Sequence, residues 1–468
     1  MRGLHWFRND LRLRDHGALE ALADRVEEWG ALFVLDPALL DAKLARNRDR
    51  FMIDSVASLR AALEKRGVSL LTVKGDPEKV VPRIAKRLGV QVVSFVEADT
   101  LRARRRDDAV RSALEADGRE VLAIRDHTVF GPQEILTKKG GPHSIYSPYR
   151  RAWWAAWEAA PRWPAPRLRL PKRPIEVERR DAEDAISKLA EPTLPRVGPP
   201  VGETAARRRL TQFLESRVGR YATDRDVPAV DGTARLSAYL RFGVISARRC
   251  FADGLAHAEA NPQDREGVEK WLDELVWREF YAAVLANRPE VTTRNFRPEY
   301  DGLAWQDDPE GFAAWCEGRT GYPIVDAGMR QLVATGWMHN RVRMIVASFL
   351  TKDLLIDWRR GARFFMDHLV DGDPASNNGG WQWAASTGTD PQPYFRIFNP
   401  TKQGERWDPE GRYVRQWIPE LEGVDRRHVH APWLAETPPA DYPAPIVAHD
   451  EARKRALDVY KAARASAS

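Results

Sequence analysis

FMIDSVASLRAALEKRG (residues 51–67) runs almost directly into SLLTVKG (69–75), and these two stretches decide the fold of the first part of the chain. In the first, apolar residues return every three or four positions, the period of a helix with one buried face. The second is short, apolar and partly β-branched, as a strand would be. The alternation continues outward on both sides, with GLHWF, ALFVLD, VQVVSFV and EVLAI as further β-rich runs between residues 3 and 124, separated by amphipathic segments. Strands alternating with helices predict a doubly wound α/β domain, a parallel sheet with helices on both faces. No GxGxxG follows the first run, so the usual dinucleotide fingerprint is missing.

After about residue 131 the composition shifts to proline and charge, as in PRWPAPRLRLPKRPIEVERR (161–180) and EPTLPRVGPPVGE (191–203). Proline removes backbone donors and breaks helices, so 131–204 reads as a long surface connector. Beyond it, GETAARRRLTQFLESRV, KWLDELVWREFYAAVLANR, GMRQLVATGWMHNRVRMIVASFLTKDLLIDWR and GARFFMDHLV are helical in period with no strand alternation between them. The expected plan is an α/β domain over 1–130, the connector, an all-α domain over 205–440 and a short charged tail, 441–468.

At 468 residues the chain can build two or three cores. It has no apolar run of 18 or more residues, and MRGLHWFRND lacks the apolar core of a signal peptide, so a cytoplasmic location is expected. Cys250 and Cys316 alone make neither a disulfide framework nor a zinc site, and no metal site is expected. Redox work would need a cofactor. The formal charge of +6 hints at a polyanionic partner, yet residues 1–200 carry 37 Lys/Arg against 29 Asp/Glu, and 201–468 carry 36 against 38. A nucleic-acid site in the second part must therefore be a local patch.

DGDPASNNGGWQWAASTGTDP (371–391) is short of aliphatic residues and reads as a polar, Gly-flanked loop with a task other than packing. Eight of the 17 tryptophans fall between 271 and 383. Tryptophans spaced through a protein can pass an electron between a buried cofactor and the surface, and Trp358, Trp381 and Trp383 are candidates. KWLDELVWREFYAAV places Glu274, Trp277, Arg278 and Tyr281 on one helical stripe, a combination suited to a flat, hydrogen-bonding ligand such as a base. TGWMHNRVRMIVASF sets Trp337, Asn340, Arg341, Arg343 and Met344 on overlapping faces, and Asp371 or Asp373 could meet Arg343. Within YATDRDVPAVDGTARLSAYLRFGVIS (221–246), Thr233, Arg235 and Ser237 stand where a helix begins and could bind phosphate or simply cap it. Arg225, Arg341 and Lys402 could contact nucleic-acid phosphates while aromatics stack on an extruded base.

Taken together, these stretches resemble the photolyase/cryptochrome family from FRNDLRLRD to YPAPIVAHD, with TGYPIVDAGMRQLVATGWMHNRVRMIVASFLTKDLLIDWRRG, DGDPASNNGGWQWAASTGTDPQPYFRIFNP and ELVWREFY as the most specific motifs. The resemblance implies an N-terminal antenna domain, a helical domain enclosing FAD, and light-dependent repair of cyclobutane pyrimidine dimers in UV-damaged DNA by electron transfer from excited FADH⁻. It further implies that Tyr221, Thr233, Ala234, Arg235, Leu236 and Ser237 hold the FAD phosphates, with Asp371, Gly372 and Asp373 around the isoalloxazine and ribityl chain. Asn377 would face flavin N5, and Arg343 would partner Asp371. Glu274, Trp277, Asn340, Met344 and Trp383 match the lesion pocket, Arg225, Arg341 and Gln403 the DNA contacts, and Arg278 and Tyr281 belong to the same lesion-side helix. Trp381, Trp358 and Trp305 match an electron-transfer chain from flavin to surface. Arg102 and Ala103 stand where folate-binding members have Asn-Glu, which points the antenna away from methenyltetrahydrofolate; the helical domain resembles more closely the cyanobacterial-type members that use 8-hydroxy-5-deazaflavin, and Arg50 and the Trp6 to Asp10 strand end are candidate contacts. A monomer without an obligate protein partner or membrane is expected. The alternatives are a cryptochrome-type photoreceptor, which would be expected to carry a longer tail, and a (6-4) photolyase, which has His-His where this chain has His339-Asn340.

Overall fold

In the computed structural model, residues 1–39, 46–164, 168–176, 184–186 and 198–466 are described. Parts of the expected connector, 165–167, 177–183 and 187–197, lie outside them. Two compact units emerge: Met1–His143, Ser147–Gly219 and Ala234–Asn287 form the first, and Ser144–Tyr146, Arg220–Thr233 and Arg288–Ser468 the second.

The first unit contains the parallel sheet that the alternation predicts. Its strands are β1 (Arg2–Phe7), β2 (Glu28–Leu35), β3 (Leu70–Lys74), β4 (Val92–Val96) and β5 (Glu120–Ile124), in the order β3-β2-β1-β4-β5. Register runs from Arg2 opposite Glu28 to Phe7 opposite Phe33. Four helices cross between the strands: α1 (Gly17–Ala23), α2 (Arg46–Glu64), α3 (Pro77–Arg87) and α4 (Leu101–Ala116). Right-handed crossovers in this strand order set α1 and α2 on one face and α3 and α4 on the other. Both faces of β1 to β4 are therefore largely buried, which is why they read as near-continuous apolar runs, whereas the edge strand β5 is only half-buried. Leu4, Trp6, Leu32, Phe95, Ile84 and Leu114 belong to the core on the α3/α4 side.

The stretch read as a connector is more structured than its prolines predict. It contains α5 (Tyr146–Ala159), which buries Trp153 and Trp157, and a two-residue strand, Arg173–Pro174, paired with β2. The helix forms because YSPYRRAWWAAWEA keeps its proline in the first turn, where a missing N–H costs nothing, and stacks Trp153 on Phe251 at 4.6 Å. The helix Arg265–Asn287, with Glu274 and Trp277, also packs in this first unit. The compact units thus cut across the bounds expected from composition.

The second unit is helical. What reads as one long periodic run after residue 328 is broken at Gly336, whose φ of +67° ends the helix Pro323–Thr335, and it resumes as Asn340–Ser348 under a His339 cap. A π-helical turn, Phe349–Asp353, follows, and Trp358 opens the helix Trp358–His368. The expected charged tail is an ordered helix, His449–Ser466, because Ala452, Ala456, Tyr460 and Ala463 recur at helical spacing and are buried. Tyr460 donates its hydroxyl to the Ala385 carbonyl at 2.6 Å. Among the described residues no helix is long and apolar enough to cross a membrane.

Candidate functional site

The polar stretch at 371–391 is a helix for half its length, not the loop its composition predicts. Asp373 accepts from the Ser376 amide and Pro374 follows it, an N-cap and first turn strong enough to start the helix Pro374–Ala384 despite Gly379 and Gly380 inside it. Each interior glycine costs about 1 kcal/mol relative to alanine, which burial of Trp381 and Gln382 offsets. The fork of Arg343 meets Asp371, with Nη2 at 2.9 and 3.2 Å from the two carboxylate oxygens, while its Nε donates to the Met338 carbonyl. Asp371 and Gly372 are buried and Asp373 half-buried. Asn377 donates its Nδ2 to the Ala362 carbonyl at 3.0 Å, and its Oδ1 accepts no hydrogen bond from the described residues.

Trp381 and Trp358 are buried and Trp305 is half-buried. Gly361, one turn into the helix that Trp358 opens, lies so close to Trp381 that a Cβ there would fall 2.1 Å from its Cη2, so only glycine admits this contact. Trp358 donates to Asn295 Oδ1 at 2.8 Å. Gln306, next to Trp305, bonds the Leu355 carbonyl and so ties the third tryptophan's segment to that of the second. Trp315 lies edge-on to Trp381 with ring centroids 6.0 Å apart, a neighbour the sequence does not reveal.

Two residues without a local sequence signal, Asp226 and Trp407, bring together the expected DNA contacts of this unit. Arg341 Nη2 lies 2.8 Å from Asp226 Oδ1, Arg225 Nε lies 3.9 Å from the same oxygen, and the Arg341 guanidinium sits 4.5 Å over the Trp407 ring. Trp407 in turn bonds Gln403 Oε1 at 3.2 Å. Arg225 lies over the ring of buried Tyr221, and Lys402 is paired with Glu405. Asn340 is exposed at the head of its helix, while Thr233, Met344 and Trp383 are half-buried, Trp383 with its ring 6.5 Å from that of Phe398.

In the first unit, Glu274, Trp277 and Tyr281 are half-buried on one helix, with Trp277 and Tyr281 rings 5.5 Å apart. Arg278 departs from the expected stripe. It donates to the His127 carbonyl at 3.0 Å, contacts His127 Nε2 at 2.6 Å and reaches Leu240 O at 3.4 Å, so its long stem has turned from a ligand-facing stripe to a structural tie. Beside it, Glu279 is buried and accepts from the amides of Val129 and Phe130 and from the Trp153 indole, with its carboxyl pushed up to about 7 by burial. Around the helix Ser237–Arg241, Ala234 and Leu236 are buried, Ser237 is exposed, and Arg235 holds a φ of +49°. At the β1 end, Trp6 is buried beneath Arg8, and Asp10 takes the Nε2 of both His5 and His16 at 3.1 Å. Burial drops His5 to about 4. These groups are spent on one another, and Arg50 bonds Asp54 at 3.0 Å.

A parallel α/β unit and a helical unit with paired arginines and buried tryptophans define a two-part protein. Residues 3–167 match the family described as DNA photolyase, and residues 271–462 match the FAD binding domain of DNA photolyase. The chain belongs to the DNA photolyase family. It is 41% identical to a deoxyribodipyrimidine photo-lyase of Salmonella typhimurium, with 99% of each chain covered. It is 39% identical to that of a Synechococcus strain, covering 99% of this chain and 97% of the relative. A class III photolyase from Agrobacterium tumefaciens superposes with a TM-score of 0.90 at 36% identity, covering 99% of this chain and 98% of the other.

Proposed function

We propose that this chain repairs cyclobutane pyrimidine dimers in DNA under near-UV or blue light, with FAD as its cofactor. The observation that carries the reading is similarity along the whole chain to relatives named for this activity, 41% in the Salmonella case. The residues fit a flavin. The fixed amide of Asn377 leaves an oxygen open to accept from the N5–H of a reduced ring, and Asp371, charge-balanced by Arg343, offers acceptors beside it. Tyr221, Thr233, Ala234, Arg235, Leu236 and Ser237 would hold the phosphate side, with Arg343, Asp371, Gly372, Asp373 and Asn377 around the ring and ribityl chain. Bound as FADH⁻, the cofactor would supply on excitation the electron that opens the cyclobutane ring.

The chain's own groups would do the rest. Trp277, Trp383 and Met344 would receive the dimer out of the base stack, where its weakened pairing lowers the cost of extrusion. Glu274 and Asn340 would hydrogen-bond it, and Glu274 would stabilise the charge that appears on it after electron transfer. Arg225, Arg341 and Gln403 would hold the backbone. Arg278 leaves the proposed set because its Nη1 and Nη2 are turned to His127 and the Leu240 carbonyl. Trp381, Trp358 and Trp305 would carry an electron inward to restore the reduced flavin. The domain bounds 1–130, 131–204, 205–440 and 441–468, a monomeric state and an 8-hydroxy-5-deazaflavin antenna remain parts of this proposal; Arg102-Ala103 in place of Asn-Glu speaks against a folate antenna, and the deazaflavin rests on the likeness of the helical domain to members that use it. Light-dependent disappearance of dimers from an irradiated duplex, absent in the dark, is the expected result; no repair by enzyme carrying reduced flavin would overturn the reading.

A further inference from the structure

Trp407 is half-buried at the end of the helix Pro400–Trp407, and two guanidinia lie over its ring, Arg341 at 4.5 Å and Arg406 at 4.6 Å. Bringing two like charges to one indole is unfavourable by Coulomb repulsion, and the negative face of the ring offsets only part of it. A structural arginine cluster is normally neutralised by carboxylates. Here Asp226 answers Arg341 at 2.8 Å and stands 3.9 Å from Arg225, Glu405 is taken by Lys402, and Arg406 is exposed with no carboxylate partner among the described residues. Arg341 Nε also has no acceptor among the described residues although it is shielded from solvent. The exposed Arg406 and the unused buried N–H of Arg341 leave a local excess of positive charge and of donors, which a phosphodiester would satisfy.

The position of the platform is fixed from both ends. Asn399 caps the start of the short helix by accepting from Lys402 N, and Asp408, immediately after Trp407, accepts the amides of Tyr413 and Val414 at 3.0 and 2.9 Å. The indole N–H is held by Gln403, which orients the ring. We propose that Trp407 and Asp226 are positioning residues of a phosphate-binding array, Trp407 holding both Arg341 and Arg406 against its ring and Asp226 holding Arg341 in register with Arg225. The occupant is the sugar-phosphate backbone of the DNA strand. Asp226 also restrains the array: its charge competes with phosphate and so lowers the affinity for damaged and undamaged DNA alike. This inference rests on the proposed role of Arg341 in DNA binding.

The test is fluorescence anisotropy with FAD-loaded enzyme in the dark, using one duplex with a single thymine dimer and the same duplex undamaged, across a range of salt concentrations. Trp407→Ala should weaken binding about tenfold, the loss expected when two cation–π contacts go, and should flatten the slope of log affinity against log salt by up to about two. Trp407→Phe keeps a ring face and should recover most of both. Asp226→Asn keeps an acceptor for Arg341 while removing the charge, and should tighten binding to both duplexes by about the same factor, leaving the preference for the dimer unchanged. An unchanged salt slope in Trp407→Ala with normal flavin content, or weaker binding of both duplexes by Asp226→Asn, overturns the inference. Arg341→Ala in the same titration separates the two levels. If it lowers the slope by about one while Trp407→Ala does not, only the positioning role fails. If Arg341→Ala leaves the slope unchanged, the DNA-contact reading itself fails.

Discussion

Arg343→Ala removes one half of a pair whose other half cannot reach water. The Asp371 side chain is 3% exposed, that of Arg343 25%, and both carboxylate oxygens face Nη2 at 2.9 and 3.2 Å. Breaking a buried ion pair from one side leaves an uncompensated charge at a cost of about 3–5 kcal/mol. Partial exposure of the arginine lets solvent screen the pair, which moves the expectation to about 2–3 kcal/mol. The lost bond from Nε to the Met338 carbonyl adds to the local loosening. Equilibrium urea unfolding followed by tryptophan fluorescence should show that loss, and the purified variant should retain less flavin. Arg343→Met combined with Asp371→Asn leaves no charge behind and should regain most of the stability, though not the flavin content. A loss below about 1 kcal/mol in the single variant, or a double variant no better than the single, would show that water or another cation already serves Asp371 and that the pair does not organise this site.

Three further outcomes follow from the same structure. Trp381→Phe should block photoreduction of oxidised flavin yet leave repair intact once the flavin is reduced chemically; photoreduction at the normal rate in the variant would exclude this tryptophan from the chain. Burial pushes Glu279 from 4.5 up to about 7, so the folded chain keeps a proton that the unfolded chain releases, and stability should fall as pH rises from about 4.5 to 7, by up to about 3 kcal/mol, and level off above. Urea titrations of wild type and Glu279→Gln across that window check this, since only the wild type should show the fall. Arg278→Met should reduce thermal stability through loss of the His127 tie while leaving the salt dependence of DNA binding unaltered; a flattened salt slope would return Arg278 to the DNA-contact set.

The parallel sheet is legible because each strand is a short apolar run bounded by turn residues, and burial of both faces of β1 to β4 removes the ambiguity of a half-exposed strand there. The buried pair Arg343 and Asp371 is foreseeable from the cost of hiding a guanidinium without a partner. The helix Pro374–Ala384 is harder, because its Gly and Asn content argues against helix and only the Asp-Pro start with Ser376 argues for it. Helix α5 hides between proline-rich flanks, and the last helix hides because its buried face is mostly alanine under a charged surface. Arg278 shows the limit of periodicity, which places a Cα on a stripe but does not say where a long side chain turns. Asp226 and Trp407 carry no local signal at all, because they meet Arg341 only through folding of segments far apart in sequence.

The central claim is repair of one lesion and not the other. Splitting a cyclobutane ring needs an electron and its return with no net proton transfer, so an exposed amide at Asn340 suffices. The neighbouring His339 is buried, with its Nδ1 accepting from the Arg341 amide as a helix cap, and does not present an acid at that position. The direct measurement is illumination of two defined oligonucleotide duplexes, one with a cyclobutane thymine dimer and one with a (6-4) photoproduct, using enzyme whose FAD has been chemically reduced, with wild type and Glu274→Ala compared. The dimer should be repaired and the (6-4) product left untouched, and Glu274→Ala should lower the quantum yield of repair more than it lowers binding, because it removes stabilisation that arises only after electron transfer. Repair of neither lesion, or of the (6-4) product alone, would contradict the account.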